Sequence, residues 1–237
     1  MPSNPSPPAT PIIGDELELL VALVPLQAAR LIEPGCGNAR LARALLERHP
    51  DCAVVGLEVD EVQHAKNLAA PQPGLHFVKG VAQSIPFEDG WFDGALMLKS
   101  LHHVPMPLMG RALGEVARVL RPGGWLYVSE PVYAGSLNDL IRLFNDEREV
   151  RAAAQAALDD ALRSGAWEPL AEHWFEVPVR FRSFAEFEQQ AMRQTFANHS
   201  VDEAMLATVR ARFEPHLGPD GAAFTRPMHV RVLRTTR

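Results

Sequence analysis

Two acidic residues each end a short apolar segment that is typical of a β-strand. Glu33 ends "LIE" just before the turn "PGCG", and Glu58 ends "CAVVGLE". A carboxylate at the end of a buried strand costs desolvation unless it binds something. Glu33 can accept a hydrogen bond from an ammonium group, directly or through water, and Glu58 can accept both hydroxyls of a ribose. The two acids predict a site for a nucleoside that carries an amino acid.

The glycines between these acids match only part of a dinucleotide-binding turn. Gly35 and Gly37 supply the first two glycines of G-x-G-x-x-G, but Arg40 stands at the third position. The two glycines let a ligand lie close to the backbone. A pyrophosphate prefers a helix start without a neighbouring carboxylate, so Glu33 and the missing glycine disfavour a nicotinamide-dependent oxidoreductase.

A second group of polar residues follows the strand-like segment "WFDGALML". His103 in "KSLHHV" is predicted to face the pocket, either as a ligand contact or as a general base, because imidazole titrates near neutral pH. A packing or capping histidine is the alternative. Adjacent residues point apart, so His102 and His103 together predict no metal site. Lys99 is expected to extend to the surface or to meet an anionic substrate group.

Strand-like and helix-like segments alternate through the first half of the chain. The predicted strands are "ARLIEP", "CAVVGLEVD", "LHFVKG", "WFDGALMLKS" and "WLYVSEP", and the helices between them include "NARLARALLERHP" and "MGRALGEVARVL". This alternation indicates βαβ units with a parallel sheet and a ligand at the carboxyl ends of the strands. Helices are expected from Ser136 to Gly165, and strands at "FEVPVRF" and "MHVRVLRT".

Composition narrows the classes of partner and compartment. The chain has 237 residues, a formal net charge of −6 and two cysteines. A strong nucleic-acid binder usually has a basic surplus, so no nucleic acid is expected. No apolar run approaches the ~18 to 20 residues of a membrane span, and a reducing cytoplasm fits the few cysteines. Residues 1–13 are predicted to be a disordered Pro/Ser-rich lead; the sequence does not indicate an oligomeric state.

The segments "IEPGCGNA", "VVGLEVD", "IPFEDGWFDGALMLKSLHHV" and "RVLRPGGWLYVSEP" resemble, in order and spacing, those of class I S-adenosylmethionine-dependent methyltransferases. The resemblance covers about residues 15–133. It implies an α/β fold of the Rossmann-like, doubly wound type, with a mostly parallel seven-stranded sheet whose last strand is antiparallel. One methyltransferase domain is then expected over 14–237, with a helical lid insertion after strand five at about 136–173.

The resemblance implies the cofactor S-adenosyl-L-methionine, with S-adenosyl-L-homocysteine as product. Glu33 would hold the methionyl part, Glu58 the ribose hydroxyls and Val59 the adenine face. Val81 stands where the family usually has an Asp that accepts the adenine amino group, so Gln83, a backbone carbonyl or water would serve instead. The cofactor-binding residues carried over are Glu33, Pro34, Gly35, Cys36, Gly37, Glu58, Val59, Val81, Ala82, Gln83, Leu98 and His103.

The function implied is methylation of a small-molecule acceptor by direct displacement at the methyl group. The donor is already activated, so the protein mainly aligns the acceptor and excludes water. Lys99, Glu130 and Tyr133 are predicted to line the acceptor pocket. The alternative, motivated by Val81, is a non-catalytic binding module that has kept the fold.

Overall fold

The computed structural model describes residues 10–193 and 201–236, and a single twisted sheet runs through them. Its strands are ordered β3-β2-β1-β4-β5-β8-β6, and a two-residue strand, β7, pairs with β8. The strands are β1 (Arg30–Pro34), β2 (Ala53–Glu58), β3 (Leu75–Lys79), β4 (Phe92–Leu98), β5 (Leu120–Pro131), β6 (Trp167–Phe181), β7 (Leu217–Gly218) and β8 (Gly221–Thr235). The helices are α1 (Glu16–Leu23), α2 (Arg40–Arg48), α3 (Glu61–Leu68), α4 (Met109–Val119), α5 (Ser136–Ile141), α6 (Arg148–Arg163), α7 (Phe184–Phe187) and α8 (Glu203–Phe213).

The first five strands are parallel, whereas β8 is antiparallel to both β5 and β6. This confirms the predicted Rossmann-like fold, with the short β7 added to the seven expected strands. Glu33 pairs with Gly56, and Leu98 pairs with Ser129. The register therefore brings the carboxyl ends of β1, β2, β4 and β5 to one edge of the sheet, where ligands bind in folds of this type.

Helices cover both faces of the sheet and bury its apolar side chains. On one face Leu17 of α1 and Leu45 of α2 join the cluster around Leu31 and Val54. On the other face, α4 and α6 pack against β4 and β5. A third cluster joins α5, α7 and α8 to the far ends of β6 and β8. Burial of both faces explains why β1, β2 and β4 are almost continuously apolar.

The predicted end of the helical insertion, at about 173, is wrong. The helices end at Arg163, and residues Trp167–Phe181 form β6, which pairs with β8 along nearly its whole length. Trp167 and Phe175 are buried. Trp174 is exposed and stacks on His229 with ring centroids 3.8 Å apart. The alternation seen in "FEVPVRF" therefore starts earlier than predicted, across a bulge between Pro169 and Ala171.

The last residues of the segment 1–13, which was predicted to be disordered, have a defined structure. Pro11 to Ile13 run beside β6: the Ile13 amide donates to the Glu176 carbonyl (2.9 Å), and the Glu176 amide donates to the Pro11 carbonyl (2.9 Å). Two main-chain hydrogen bonds fix these residues despite their Pro-rich context. Residues 1–9 of the predicted lead lie outside the described residues. Within the described ranges, no helix has the length and apolar character needed to cross a membrane.

Candidate active site

The turn after β1 is shaped by two glycines with positive φ. Gly35 has φ 70° and Gly37 has φ 53°, a region that side chains make unfavourable. A Cβ atom on Gly35 would lie 2.9 Å from the Ser100 Cβ, whereas a Cβ on Gly37 would meet nothing within 4 Å. Gly35 therefore lets the turn pack on the end of β4, and Gly37 leaves space where a ligand can approach the backbone.

Pro34 and Cys36 are structural members of this turn. The Ser100 hydroxyl donates to the Pro34 carbonyl (2.9 Å), which ties the ends of β1 and β4 together. Cys36 is buried, and this burial raises the pKa of its thiol far above the ordinary value. Because a thiol needs its thiolate form to react, Cys36 is a packing residue rather than a nucleophile.

The Glu58 carboxylate is buried beneath the turn and is bound by backbone amides. Oε2 accepts from the Gly37 amide (2.7 Å), and Oε1 accepts from the amides of Val59 (2.9 Å) and Asp60 (2.8 Å). A carboxylate offers about four acceptor positions. Three are used, so one position on Oε2 is left for a ligand hydroxyl. The Asp60 side chain in turn caps α3 by accepting from the Gln63 amide (2.8 Å).

Glu33 is the least satisfied acid in the site. Its side chain is 3% exposed, and Oε2 has no hydrogen-bond partner among the described residues. Burial raises the pKa of this carboxyl to about 8, against the opposing effect of Lys99 and with smaller contributions from Glu16 and Glu58. A buried acceptor without a partner is costly. A ligand ammonium at this position, directly or through water, would satisfy it.

Lys99 at the end of β4 was predicted either to reach the surface or to meet an anionic substrate group; its side chain is 36% exposed and pairs with an acid of α1. Its backbone has φ 55°, and its Nζ lies 3.6 Å from Glu16 Oε2 of α1. The other Glu16 oxygen lies 3.4 Å from the Tyr127 hydroxyl. The ion pair links α1 to the strand edge beside Glu33. Leu98, whose carbonyl was predicted to meet a ligand amino group, is half-buried at the same strand end.

The predicted adenine contacts lie at the ends of β2 and β3. Val59 is 60% exposed, an open apolar surface directly after Glu58. The Val81 carbonyl accepts from the Ser84 amide (3.1 Å), and Ala82 is buried in the apolar cluster of the α4 face. Gln83 is half-buried, and its amide makes no hydrogen bond within the described part of the chain. Gln83 stays the predicted replacement for an Asp at position 81.

Glu130 does not line the pocket as predicted, because it is buried against a histidine. Only 1% of Glu130 is exposed. One of its oxygens, Oε2, binds His102 Nδ1, and the other, Oε1, accepts from the Leu101 amide (2.9 Å). His102 is also buried. The Glu130 carboxylate is therefore covered by the His102 ring and the Leu101 turn.

His103 is the histidine that faces outward. The residues Leu101–His103 form a 3₁₀ turn, so the two rings do not diverge as predicted but lie with centroids 4.1 Å apart. His103 as a whole is exposed, but its ring is partly shielded from solvent. This desolvation, together with the neighbouring His102, lowers the pKa of the His103 imidazole. The neutral, proton-accepting form is thereby favoured at neutral pH.

Glu147 lies beside the two histidines and completes a possible set of metal ligands. One ligand atom from each of His102, His103 and Glu147 lies within 4.8 Å of the others. However, Glu147 already pairs with Arg151 (2.6 Å), and His102 Nδ1 is bonded to Glu130. The guanidinium beside the cluster opposes a second cation. That the protein uses no metal stays a prediction.

Tyr133 lies half-buried at the rim after β5, close to where it was predicted. The Arg148 guanidinium lies over its ring, 5.1 Å from the centroid, and Arg148 Nη2 is 3.5 Å from the hydroxyl. Sequence reasoning missed the charged residues Glu16, Glu147, Arg151 and Arg226 around the site. Only the four-residue spacing of Glu147 and Arg151 is a local signal, since it predicts a helical ion pair.

Comparison with known proteins identifies the family. Residues 32–128 match the family model described as a methyltransferase domain. The 27-O-demethylrifamycin SV methyltransferase of Amycolatopsis mediterranei is 30% identical over 228 residues, which are 84% of this chain and 78% of that protein. The phthiotriol/phenolphthiotriol dimycocerosates methyltransferase 1 of Mycobacterium ulcerans is 37% identical over 112 residues. That match covers 45% of this chain and 39% of the relative, so the chain spans about two-fifths of that relative's length.

Among solved structures, the YcgJ protein from Bacillus subtilis has the same fold. Its TM-score is 0.61 at 22% sequence identity, and the superposition covers 93% of this chain and 98% of that chain. The family match includes β1, β2, β4 and most of β5, which carry Glu33, Glu58 and the histidine turn. The chain belongs to the class I S-adenosylmethionine-dependent methyltransferases.

Proposed function

We propose that the protein transfers a methyl group from S-adenosylmethionine to a hydroxyl oxygen of a small molecule. The observation that carries this proposal is the exposed His103 after β4, whose lowered pKa favours the proton-accepting form. It lies at the same sheet edge as Glu33, whose Oε2 has no partner among the described residues. A hydroxyl acceptor arrives protonated and needs a base, whereas the activated donor needs none. The named relatives act on small molecules, which agrees with this class of acceptor.

The residues present fit the cofactor at four points. The orphaned Glu33 oxygen suits the methionyl ammonium, and the free acceptor position on Glu58 suits a ribose hydroxyl. The open space at Gly37 admits the ligand to the backbone, and exposed Val59 offers an apolar face to adenine. Leu98, Val81, Ala82 and Gln83 stay predicted contacts.

S-adenosylmethionine, when bound, would supply a methyl group on a positively charged sulfur, and the sulfur would leave as S-adenosylhomocysteine when a nucleophile attacks the methyl carbon. His103 would accept the acceptor's hydroxyl proton as the oxygen attacks. His102 and Glu130 would hold the His103 ring in position, since the carboxylate fixes the orientation of the imidazole behind it. Lys99 and Glu16 would close the cleft on the side of α1.

Charge and composition support a small-molecule acceptor and a cytoplasmic location. A net charge of −6 does not favour a nucleic-acid substrate. The α5 and α6 helices and Tyr133 stand beside the pocket as a cover suited to a small molecule. Two free, buried cysteines agree with a reducing cytoplasm.

Titration calorimetry tests the first half of the proposal. Both S-adenosylmethionine and S-adenosylhomocysteine should bind, and NAD should not. A panel of hydroxyl, amine and thiol acceptors with matched carbon skeletons, assayed for S-adenosylhomocysteine release, tests the second half. Turnover of the hydroxyl member supports oxygen methylation. Cofactor binding without turnover of any member would instead favour the non-catalytic binding module.

A further inference from the structure

A small cavity lies next to the histidine cluster, under α5 and α6 and against β8. Its free volume is about 10 Å³, which is the space of one water-sized atom. Its lining combines apolar side chains with two arginines and polar groups: Val132, Ala134, Leu137, Asn138, Ile141, Arg151, Thr225 and Arg226. A site of this size admits one oxygen atom of a larger group.

Arg226 is the charged residue of this lining that has no direct partner among the described residues. It is partly buried on β8, and within the described part of the chain its guanidinium makes no hydrogen bond and no ion pair. Burial, reinforced by the nearby Arg151, lowers the pKa of its guanidinium against the smaller opposing effect of Glu147. A desolvated cation is costly unless an anion accompanies it. Arg226 is therefore arranged to receive negative charge.

The second arginine of the lining, Arg151, already has partners within the protein. Arg151 Nη2 pairs with Glu147 (2.6 Å), while Nη1 donates to the Val132 carbonyl (3.2 Å) and to Asn138 Oδ1 (3.1 Å). Glu147 thus neutralises one of the two guanidinium groups. The cavity keeps a net positive charge, which favours an oxyanion over a metal ion.

The cavity is linked to the proposed chemistry by a single ion pair. Glu147, which pairs with Arg151, is the same residue whose carboxylate lies within 4.8 Å of ligand atoms of His102 and His103. Arg226 is also close enough to Glu147 to feel its charge, so the cavity and the histidines lie on two sides of the same carboxylate.

We propose that Arg226, beside Arg151, binds a carboxylate of the methyl acceptor, a group that is held in place and not itself methylated. This rests on the proposed function, because it assigns the substrate class of the same site. The planar guanidinium group can donate two parallel hydrogen bonds to a carboxylate. A phosphate group could accept the same two hydrogen bonds. The acceptor is then a hydroxylated carboxylic acid.

Calorimetry with simple probes tests this assignment. The full chain, saturated with S-adenosylhomocysteine, is titrated with octanoate, octyl phosphate and octanamide. Octanoate should bind at least 10-fold more tightly than octanamide, and Arg226→Met should remove that difference while octanamide binding stays unchanged. The control is Arg234→Met, because Arg234 lies on the same strand in a surface ion pair with Glu168 and should leave all three affinities unaltered.

The other possible binding results would contradict the carboxylate site or separate it from the proposed methyl transfer. Equal binding of octanoate and octanamide by the unmodified protein, or an Arg226→Met variant that keeps the preference, overturns the proposal. Tighter binding of octyl phosphate than octanoate overturns the carboxylate in favour of a phosphate. If Arg226→Met fails to fold, Arg226→Lys keeps the charge but loses the fork, and a partial loss of preference is expected. If S-adenosylhomocysteine does not bind but octanoate selectivity persists, the proposed methyl transfer fails and the anion site stands.

Discussion

His102 is bonded through Nδ1 to the carboxylate of Glu130, and both side chains are buried. The second Glu130 oxygen accepts from the Leu101 amide (2.9 Å), so the carboxylate is fixed from two directions. The His102 ring lies against the ring of His103. Glu130 is therefore linked to the exposed His103 through one intermediate ring, which leads us to expect a positioning role for it.

Glu130→Gln should lower turnover by roughly 10- to 100-fold, as for other residues that orient a functional histidine, while cofactor affinity stays unchanged. The amide keeps the shape of the side chain but carries no negative charge, and its NH2 group can face His102 in place of an acceptor oxygen. The orientation of the His102 ring is then no longer fixed. Steady-state kinetics and the pH profile of turnover check this. The control is Glu61→Gln, because Glu61 is exposed and pairs only with Lys79. A loss of cofactor affinity in place of turnover would show that Glu130 has a purely structural role.

His103→Gln should lower kcat/KM by about 10²- to 10⁴-fold for a hydroxyl acceptor. The unmodified protein should lose activity as the pH falls through the His103 pKa, which lies below 6.5 because of desolvation and His102. The imidazole is protonated below that value and cannot accept a proton. In the variant this acidic limb should disappear. An acidic limb that persists in His103→Gln would assign it to another group.

The strand-end acids were predictable because their signals are local. Glu33 and Glu58 each follow an apolar run that can only be a buried strand, and parallel strands bring their ends together. The glycine turn between them is equally local. The chain's family was predictable from the same segments, since they keep their order and spacing.

The charged partners around the acceptor pocket were not predictable, because their contacts join distant parts of the chain. Glu130 looked like a rim residue, and only the packing of His102, 28 residues earlier, shows that it is buried. Arg226 lies 75 positions beyond Arg151, and no spacing rule links them. The partner of Lys99 is Glu16, on a helix before β1, and no local pattern links the two residues.

Glu33 should make the ligand-free protein less stable as the pH rises from 4.5 to 8. The native state keeps the proton to about pH 8, whereas the unfolded chain loses it near 4.5. The native state then binds more protons in this window, so the free energy of unfolding falls with pH by roughly 1.4 kcal/mol per unit at most. Glu33→Gln should flatten this slope in denaturant titrations. A variant with the wild-type slope would contradict the assignment.

Cofactor binding should release close to one proton at pH 6.5, because the ligand ammonium favours the ionised form of Glu33. Calorimetry in buffers of different ionisation enthalpy measures the released protons. Ligand α-amino groups titrate at about pH 8, so the ammonium is constant at pH 6.5. Glu33→Gln should abolish the release, and Glu61→Gln, a surface acid, should retain it. Binding without proton release by the unmodified protein would count against an ammonium at Glu33.

Gly37→Ala should weaken S-adenosylhomocysteine binding at least 10-fold. The added methyl group points into the space left open for the ligand, and the positive φ costs about 1–2 kcal/mol of stability. Calorimetry gives the affinity and thermal melting gives the stability. Gly165→Ala is the matched control, because Gly165 also has a positive φ (75°), a Cβ there also meets nothing within 4 Å, and it lies outside the turn. Unchanged affinity in Gly37→Ala would mean that the ligand does not approach this position.

Val81→Asp should tighten cofactor binding by about 2- to 10-fold, the value of one added hydrogen bond of roughly 0.5–1.5 kcal/mol. The substitution restores the acceptor that the family usually presents to the adenine amino group. Gln83→Ala should have the opposite effect if Gln83 now supplies that acceptor, and the double variant should bind like Val81→Asp alone. Val62→Asp, on the exposed face of α3, controls for added negative charge. Calorimetry on the four variants separates these cases, and a Val81→Asp variant that binds no better than the control would show that adenine is held by other groups.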